Sequence, residues 1–226
     1  MQAQQLKVDV IANNLANLGT TGFKASRVVF RDLAYVSLPA PGGGQGEQPA
    51  APWQVGTGVG PGAIVRDFTS GVLEATEQPF DLAVDGAGFF RVRLADGSEG
   101  YTRNGHFGLN ADGVLVDAAG NPVLTTGGQT ITLPQGWKEV TVAPDGTVTA
   151  RLAGGATSVA GRIGLAVFTN PAGLEAGGDG LYRATVASGE ARRVEPGSSG
   201  AGLIRQGFLE TSNVQAVNEM INLIVA

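Results

Sequence analysis

Apolar residues recur at coiled-coil spacing at both ends of this chain, and that pairing constrains its fold more than anything between. In residues 1–18, Val8, Ile11, Leu15 and Leu18 follow one another at intervals of 3, 4 and 3. Val214, Val217, Ile221 and Ile224 repeat the same intervals in residues 213–226. Each set forms one stripe of a heptad, so each segment is predicted to be a helix. Gly19 supplies a stop after the first. Thr211-Ser212-Asn213 offers an N-cap before the second, and Ser212 with Gln215 fits a capping box. Helices shorter than about 12–15 residues are marginal alone in water, so the two are expected to pair with each other.

The first helix carries a further stripe, Leu6, Val10, Asn13 and Asn17, which calls for a second partner. The last helix has almost no polar face: Met220, Ile221, Leu223, Ile224 and Val225 crowd around its one charge, Glu219. A monomer would leave part of that surface exposed, which marks it for interaction. Contact faces that differ on the two sides of a subunit build filaments rather than closed dimers. The residues assigned to self-assembly are therefore Val8, Ile11, Asn13, Asn14, Leu15, Asn17, Leu18, Val214, Val217, Ile221 and Ile224. The three asparagines read either as amides that hydrogen-bond between packed helices or as a solvated helix end near Gly19. Both terminal patterns break off in mid-helix, and both helices are expected to be incomplete as given.

Between the ends, the chain reads as strands. With 36 Gly and 11 Pro among its 226 residues, it favours many short strands over a bundle. Asp85-Gly86, Asp96-Gly97, Asp112-Gly113, Gly120-Asn121-Pro122, Asp145-Gly146 and Asp179-Gly180 separate apolar runs and predict hairpins. Residues 20–35 hold a turn and then an apolar-rich stretch that is either an extended arm or a short helix. Residues 37–62 are rich in Gly and Pro and read as a linker or a loop ordered by neighbours. Trp53 within them is either an anchor or a lone half-buried aromatic. The expected class is mainly β with paired terminal α-helices. A terminal helical assembly domain (1–34 with 210–226) is joined by a connecting stretch (35–63) to an all-β outer domain (64–209).

Catalytic chemistry finds little to work with. There is no cysteine and a single histidine, His106. Thiolate metal sites, disulfides and Cys nucleophiles are thereby excluded, and a Ser-His-Asp triad has no Gly-x-Ser-x-Gly elbow. Gly56-Thr57-Gly58-Val59-Gly60 and Gly86-Ala87-Gly88 complete neither a P-loop nor a dinucleotide fingerprint. Asp81 and Asp85 read as turn residues rather than a catalytic carboxylate pair. The formal net charge of −5, with no basic run, argues against nucleic acid as a partner. No cofactor and no enzymatic activity are expected. No apolar stretch is long enough to span a membrane, and Met1 to Leu6 do not resemble a cleaved signal peptide.

Several segments resemble a known family. Asn13-Asn14-Leu15-Ala16-Asn17 followed by Thr21-Gly22-Phe23-Lys24 is similar to the N-terminal signature of the flagellar rod and hook axial proteins. Gly86-Ala87-Gly88-Phe89-Phe90, Tyr101-Thr102-Arg103-Asn104-Gly105-His106-Phe107 and Gln206-Gly207-Phe208-Leu209-Glu210-Thr211-Ser212-Asn213-Val214 resemble later segments of that family, in the same order. Within it, the insert from Tyr35 to Pro61 is most like that of the distal rod member. Family members carry further residues before Met1 and continue the last helix beyond Ile224-Val225. The resemblance implies a structural subunit of the basal body, exported to the periplasm without a cleaved signal. It implies a homopolymer whose helices line a tube and whose β domain forms the wall. The implied partners are other copies, proximal rod subunits, hook protein, the peptidoglycan-layer and outer-membrane rings, the rod cap and the export apparatus. The alternatives are another rod or short hook-type protein, or a secreted β-rich module binding cell-wall glycan, which would need an aromatic platform built from Trp53 and Trp137.

Overall fold

The computed structural model describes residues 2–38 and 53–225. Part of the Gly/Pro-rich stretch, and the side chain of Trp53, lie outside them. Helix α1 spans Gln2–Ala16. The stretch after it is extended: β1 (Ser26–Asp32) and β2 (Tyr35–Leu38) run out, and β3 (Trp53–Gly56) and β4 (Val59–Arg66) run back. β1 pairs with β4 and β2 with β3, both antiparallel, so residues 26–38 and 53–66 make a two-stranded arm. Pairing is continuous through positions 63/64, while Leu33 and Ala34 separate the two ladders. Pro61 sits in β4 opposite Phe30, beside a register shift. A two-stranded ribbon accepts a residue without an N–H there.

The β body begins with β5 (Leu73–Ala75), β6 (Leu82–Asp85), β7 (Phe89–Arg93) and β8 (Glu99–Thr102). β9 (Gly108–Leu109), β10 (Leu115–Val116), β11 (Trp137–Val142), β12 (Thr147–Leu152) and β13 (Thr157–Arg162) follow. β14 (Leu165–Val167), β15 (Glu175–Gly178), β16 (Leu181–Arg183) and β17 (Arg192–Val194) come next, then β18 (Leu203–Gln206) and β19 (Phe208–Glu210). The main sheet has the order β15-β16-β8-β7-β14-β17, and β11-β12-β13 form a second. β18 returns to β6 and β19 to β5, so the last strands lie beside the first of the body.

The Asp-Gly pairs at 96–97, 112–113, 145–146 and 179–180 each lie on the connection between paired neighbours, β7–β8, β9–β10, β11–β12 and β15–β16. Asp96 and Asp145 accept the backbone N–H two residues on, at 2.8 and 3.0 Å, which closes the turn locally. At 112–113 that role falls to Asn110, whose side chain accepts from Asp112 and Val114. Asp85-Gly86 is no hairpin. β6 and β7 belong to different sheets, and Asp85 faces Arg205 of β18 at 2.7 Å.

Alternation along β7 supplies two cores. Phe90 and Val92 point into the larger one with Leu82, Ile131, Ile163 and Ile204. Phe89 points the other way, into an aromatic cluster with Tyr101, Phe168 and Tyr182 whose rings meet edge to face. Arg91 shares that second face, fully buried, and is held by Glu99 at 2.8 Å.

Helix α2 (Ala216–Val225) packs on α1. It starts later than 213, and the Ser212–Gln215 capping box does not form. Ser212 Oγ accepts from Val214 N–H two residues on, and Gln215 O takes the first helical bond, from Glu219 N–H at 3.0 Å. The delay has a cause: the Asn213 side chain is bonded to other parts of the chain, which holds residues 211–215 out of helical geometry.

Candidate assembly surface

The two heptad stripes meet different surroundings. On α1, Ile11 is buried and Val8 and Leu15 are half-buried, while Leu18, in the turn after the helix ends at Ala16, is exposed. The face turned inward runs through Ala3, Val10, Ile11 and Asn14, and α1 packs on β1 and β4 as well as on α2. On α2, no residue is buried. Val217 is 69 % exposed, Ile221 53 % and Ile224 85 %, and Met220, Leu223 and Val225 are open too. Val214, before the helix, is buried. The arm adds exposed Val29, Tyr35, Val36, Val55 and Val59. Apolar residues grouped this way exceed the scatter normal on a monomer's surface.

The asparagines divide between the two readings. Asn14, 2 % exposed, donates to Ser26 O at 2.8 Å and to Glu219 Oε1 of α2 at 3.1 Å, and accepts from Ser26 N–H at 2.9 Å. It links α1 to both α2 and the arm. Asn17 donates to Asn13 O within its own helix end and accepts from the Thr20 hydroxyl, as a solvated end requires. The Asn13 side chain is exposed.

Behind this surface lies a feature that sequence reasoning missed. Lys24, Arg103 and Glu210 are all buried and joined. Lys24 Nζ meets Glu210 Oε1 at 2.5 Å and donates to Thr69 O at 2.7 Å. Arg103 reaches Glu210 Oε2 at 3.3 Å, Val84 O at 3.2 Å and Gly86 O at 2.7 Å, with its guanidinium 5.4 Å from the centre of the Phe89 ring. Gly71 N–H donates to Glu210 Oε1 at 2.8 Å, and Gly22 N–H to Glu210 O at 2.7 Å. Burial lowers the Lys24 and Arg103 pKa values from their ordinary ones, and the Glu210 carboxylate opposes that in both.

Glycines let these segments close on one another. A Cβ on Gly22, at φ +69°, would stand 2.5 Å from Asn104 N. One on Gly71 would stand 2.0 Å from Thr211 O. Lys24, Arg103 and Glu210 all lie inside the segments singled out above. A charged residue embedded in a glycine- and aromatic-rich motif, in a chain with only 15 % charged residues, is the signal that could have found them.

His106 pairs with Asp81 at 2.8 Å and is largely exposed, while Asp85 pairs with Arg205, so the two aspartates serve different partners. Trp137 packs against Phe80 at 5.6 Å. Among the described residues, no group of three or more His, Cys, Asp or Glu is placed to hold a metal ion. No helix among them is long and apolar enough to cross a membrane.

Comparison with known proteins agrees with this architecture. Residues 1–24 match the family described as flagella basal body rod protein. Residues 83–150 match the flagellar hook protein FlgE/F/G D1 domain, and residues 205–226 the flagellar basal body rod FlgEFG protein C-terminal region. The flagellar basal-body rod protein FlgG of Bacillus subtilis is 39 % identical, over all of this chain and 86 % of its own length. FlgG of Caulobacter vibrioides is 40 % identical with the same coverage. The rod protein FlgF of Caulobacter vibrioides is also 40 % identical, over 96 % of this chain and 80 % of its own. This chain therefore belongs to the flagellar basal-body rod protein family, whose members are structural subunits rather than enzymes.

Proposed function

We infer that this chain is the distal rod subunit, which polymerises into a rigid hollow tube and transmits torque from the motor to the hook. The observation that carries the reading is α2, whose apolar residues are exposed along its whole length while α1 beside it is largely seated. A helix of that kind is covered by further copies. The long two-stranded arm, with exposed valines on it, supports the distal subunit in particular, since it offers neighbouring copies a second apolar surface. In this reading the subunit is exported without a cleaved signal through the flagellar export apparatus. It adds beneath the rod cap, between the proximal rod subunits and the hook protein, and the peptidoglycan-layer and outer-membrane rings surround its β body. A second reading, another rod paralogue, is favoured by the equal identity to FlgG and FlgF of one organism.

Seeded growth tests the inference. Purified chain incubated with sheared rod fragments should extend them as straight tubes in electron micrographs. Ile221→Asp should abolish extension and leave thermal melting within about 0.5 kcal/mol of the parent, because Ile221 is exposed in the protomer. Normal extension by the variant, or none by the parent, would sink the assignment.

A further inference from the structure

Beyond Asn17, the motifs that mark this chain lie off the exposed face of α2. They converge behind it, where the chain passes between the helices with their arm and the β body, at residues 17–25, 67–72 and 210–215. Single segments crossing between two packed units act as a hinge by default. Here each is fastened to the others. Lys24 and Gly22 in the first and Gly71 in the second all bond to Glu210. The Asn213 amide repeats the pattern three residues on. Its oxygen accepts from Ala25 N–H at 2.8 Å, and its nitrogen donates to Asp67 O at 2.9 Å and to Thr69. Direct backbone bonds, Asp67 N–H to Ala25 O and Thr211 N–H to Val72 O, both 2.8 Å, complete the set. From the β body, Arg103 grips Glu210 with one guanidinium nitrogen and the carbonyl of Gly86 with the other. Thr21 reaches Asn104 at 3.0 Å. At Gly22 and Gly71 there is no room for even a methyl group, so the segments cannot slide without parting.

We propose that Glu210 and Asn213 form a latch that sets the angle between the helix pair and the β body before assembly, so that the subunit joins its polymer as one rigid piece. The two residues act by position. Their bonds named above all run within the protomer, and what they hold is the direction in which the exposed face of α2 is presented. The consequence for a polymer rests on the reading given above, but the latch is a property of the protomer and its test needs no polymer.

Amide hydrogen exchange of the monomer decides it. Gly22 and Gly71 report the joint, Leu124 and Ile163 the body, and all four amides are hydrogen-bonded. In the parent, the joint amides should exchange within about tenfold of the body amides. Joint exchange more than about 100-fold faster would show a hinge and overturn the proposal. Asn213→Ala removes no buried charge. It should speed Gly22 and Gly71 by about tenfold or more and leave Leu124 and Ile163 unchanged. No change at any of the four, or equal acceleration of all, would also overturn it, since Asn213 would then fasten nothing separate. Glu210→Gln also lowers global stability, and it should still accelerate Gly22 and Gly71 more than Leu124 and Ile163.

Discussion

Removing the carboxylate of Glu210 should cost more than removing the ammonium of Lys24, although the two form one ion pair. Glu210 is the shared partner of two cations and of the Gly71 N–H, and its side chain is fully buried. In Glu210→Gln, Lys24 keeps Thr69 O and Arg103 keeps Val84 O and Gly86 O, but a single neutral amide oxygen replaces the carboxylate that the two cations shared. Breaking a buried pair from one side costs about 3–5 kcal/mol. In Lys24→Met the carboxylate still holds Arg103 and Gly71, and the Met side chain refills the stem. That loss should be about 1–2 kcal/mol. For a chain of this size, these translate to melting decreases of about 6–20 °C and about 2–8 °C.

The double variant Lys24→Met/Glu210→Gln should be less damaged than the sum, with a coupling of about 1–3 kcal/mol, because no ammonium is left stranded. Urea unfolding of the four proteins supplies the cycle. pH adds a second reading. Burial lowers the Lys24 pKa and Glu210 raises it, so losing Glu210 lowers it further. The folded variant then binds fewer protons than the unfolded chain between that lowered value and the ordinary 10.5, and stability rises with pH across the window. The Glu210→Gln deficit should therefore shrink as pH climbs toward 10.5. A Lys24→Met loss equal to or greater than that of Glu210→Gln, or strict additivity, would refute the picture of Glu210 as a hub.

Gly71→Ala should destabilise by about 1–3 kcal/mol, because the new methyl meets Thr211 O. Gly19→Ala, with nothing within 4 Å, should stay within about 0.5 kcal/mol. Thermal melts of the pair check both. Asp96 is held at about 2 by the hydroxyl and N–H of Ser98 and by Arg183. The stability it contributes is present above its ordinary 3.8 and fades as pH falls toward 2. Ser98→Ala should move its carboxyl titration, followed by NMR, back toward 3.8.

Much of the fold was legible because its signals are local. Heptad intervals placed both helices, and Asp-Gly pairs marked four hairpin connections. Where the signals failed, a distant contact had overridden them. Asp85-Gly86 carries the dipeptide of a hairpin, but Arg205 of β18 takes Asp85 and the chain leaves for another sheet. Ser212 offers an N-cap, but Asn213 is drawn to Ala25, Asp67 and Thr69, and the helix waits until Ala216. Residues 20–35 left an extended arm open, but its returning half was hidden by composition, since Gly60-Pro61-Gly62 reads as a linker, and its pairing comes from β1 across the ribbon. The joint was least legible. Lys24 and Glu210 lie 186 positions apart, and no local pattern tells a buried Lys from a solvated one.

That separation also orders events in time. A chain made from its N-terminus carries Lys24 and Arg103 long before Glu210 and Asn213 exist. Closing a loop of that length costs on the order of 4–5 kcal/mol in chain entropy, so the joint cannot pre-form as a stable island. The hairpins of the β body can form as they emerge, since β7–β8, β11–β12–β13 and β15–β16 join strands close in sequence, and β18 and β19 close the body last. The joint can close only after the last few dozen residues arrive. Chains cut short by translational error would keep two unneutralised cations at the joint and an unanchored first helix, and so would lack the geometry for lateral contact. Because Glu210 ends the last strand of the β body and Asn213 follows it, the joint is the last of these contacts that synthesis can supply.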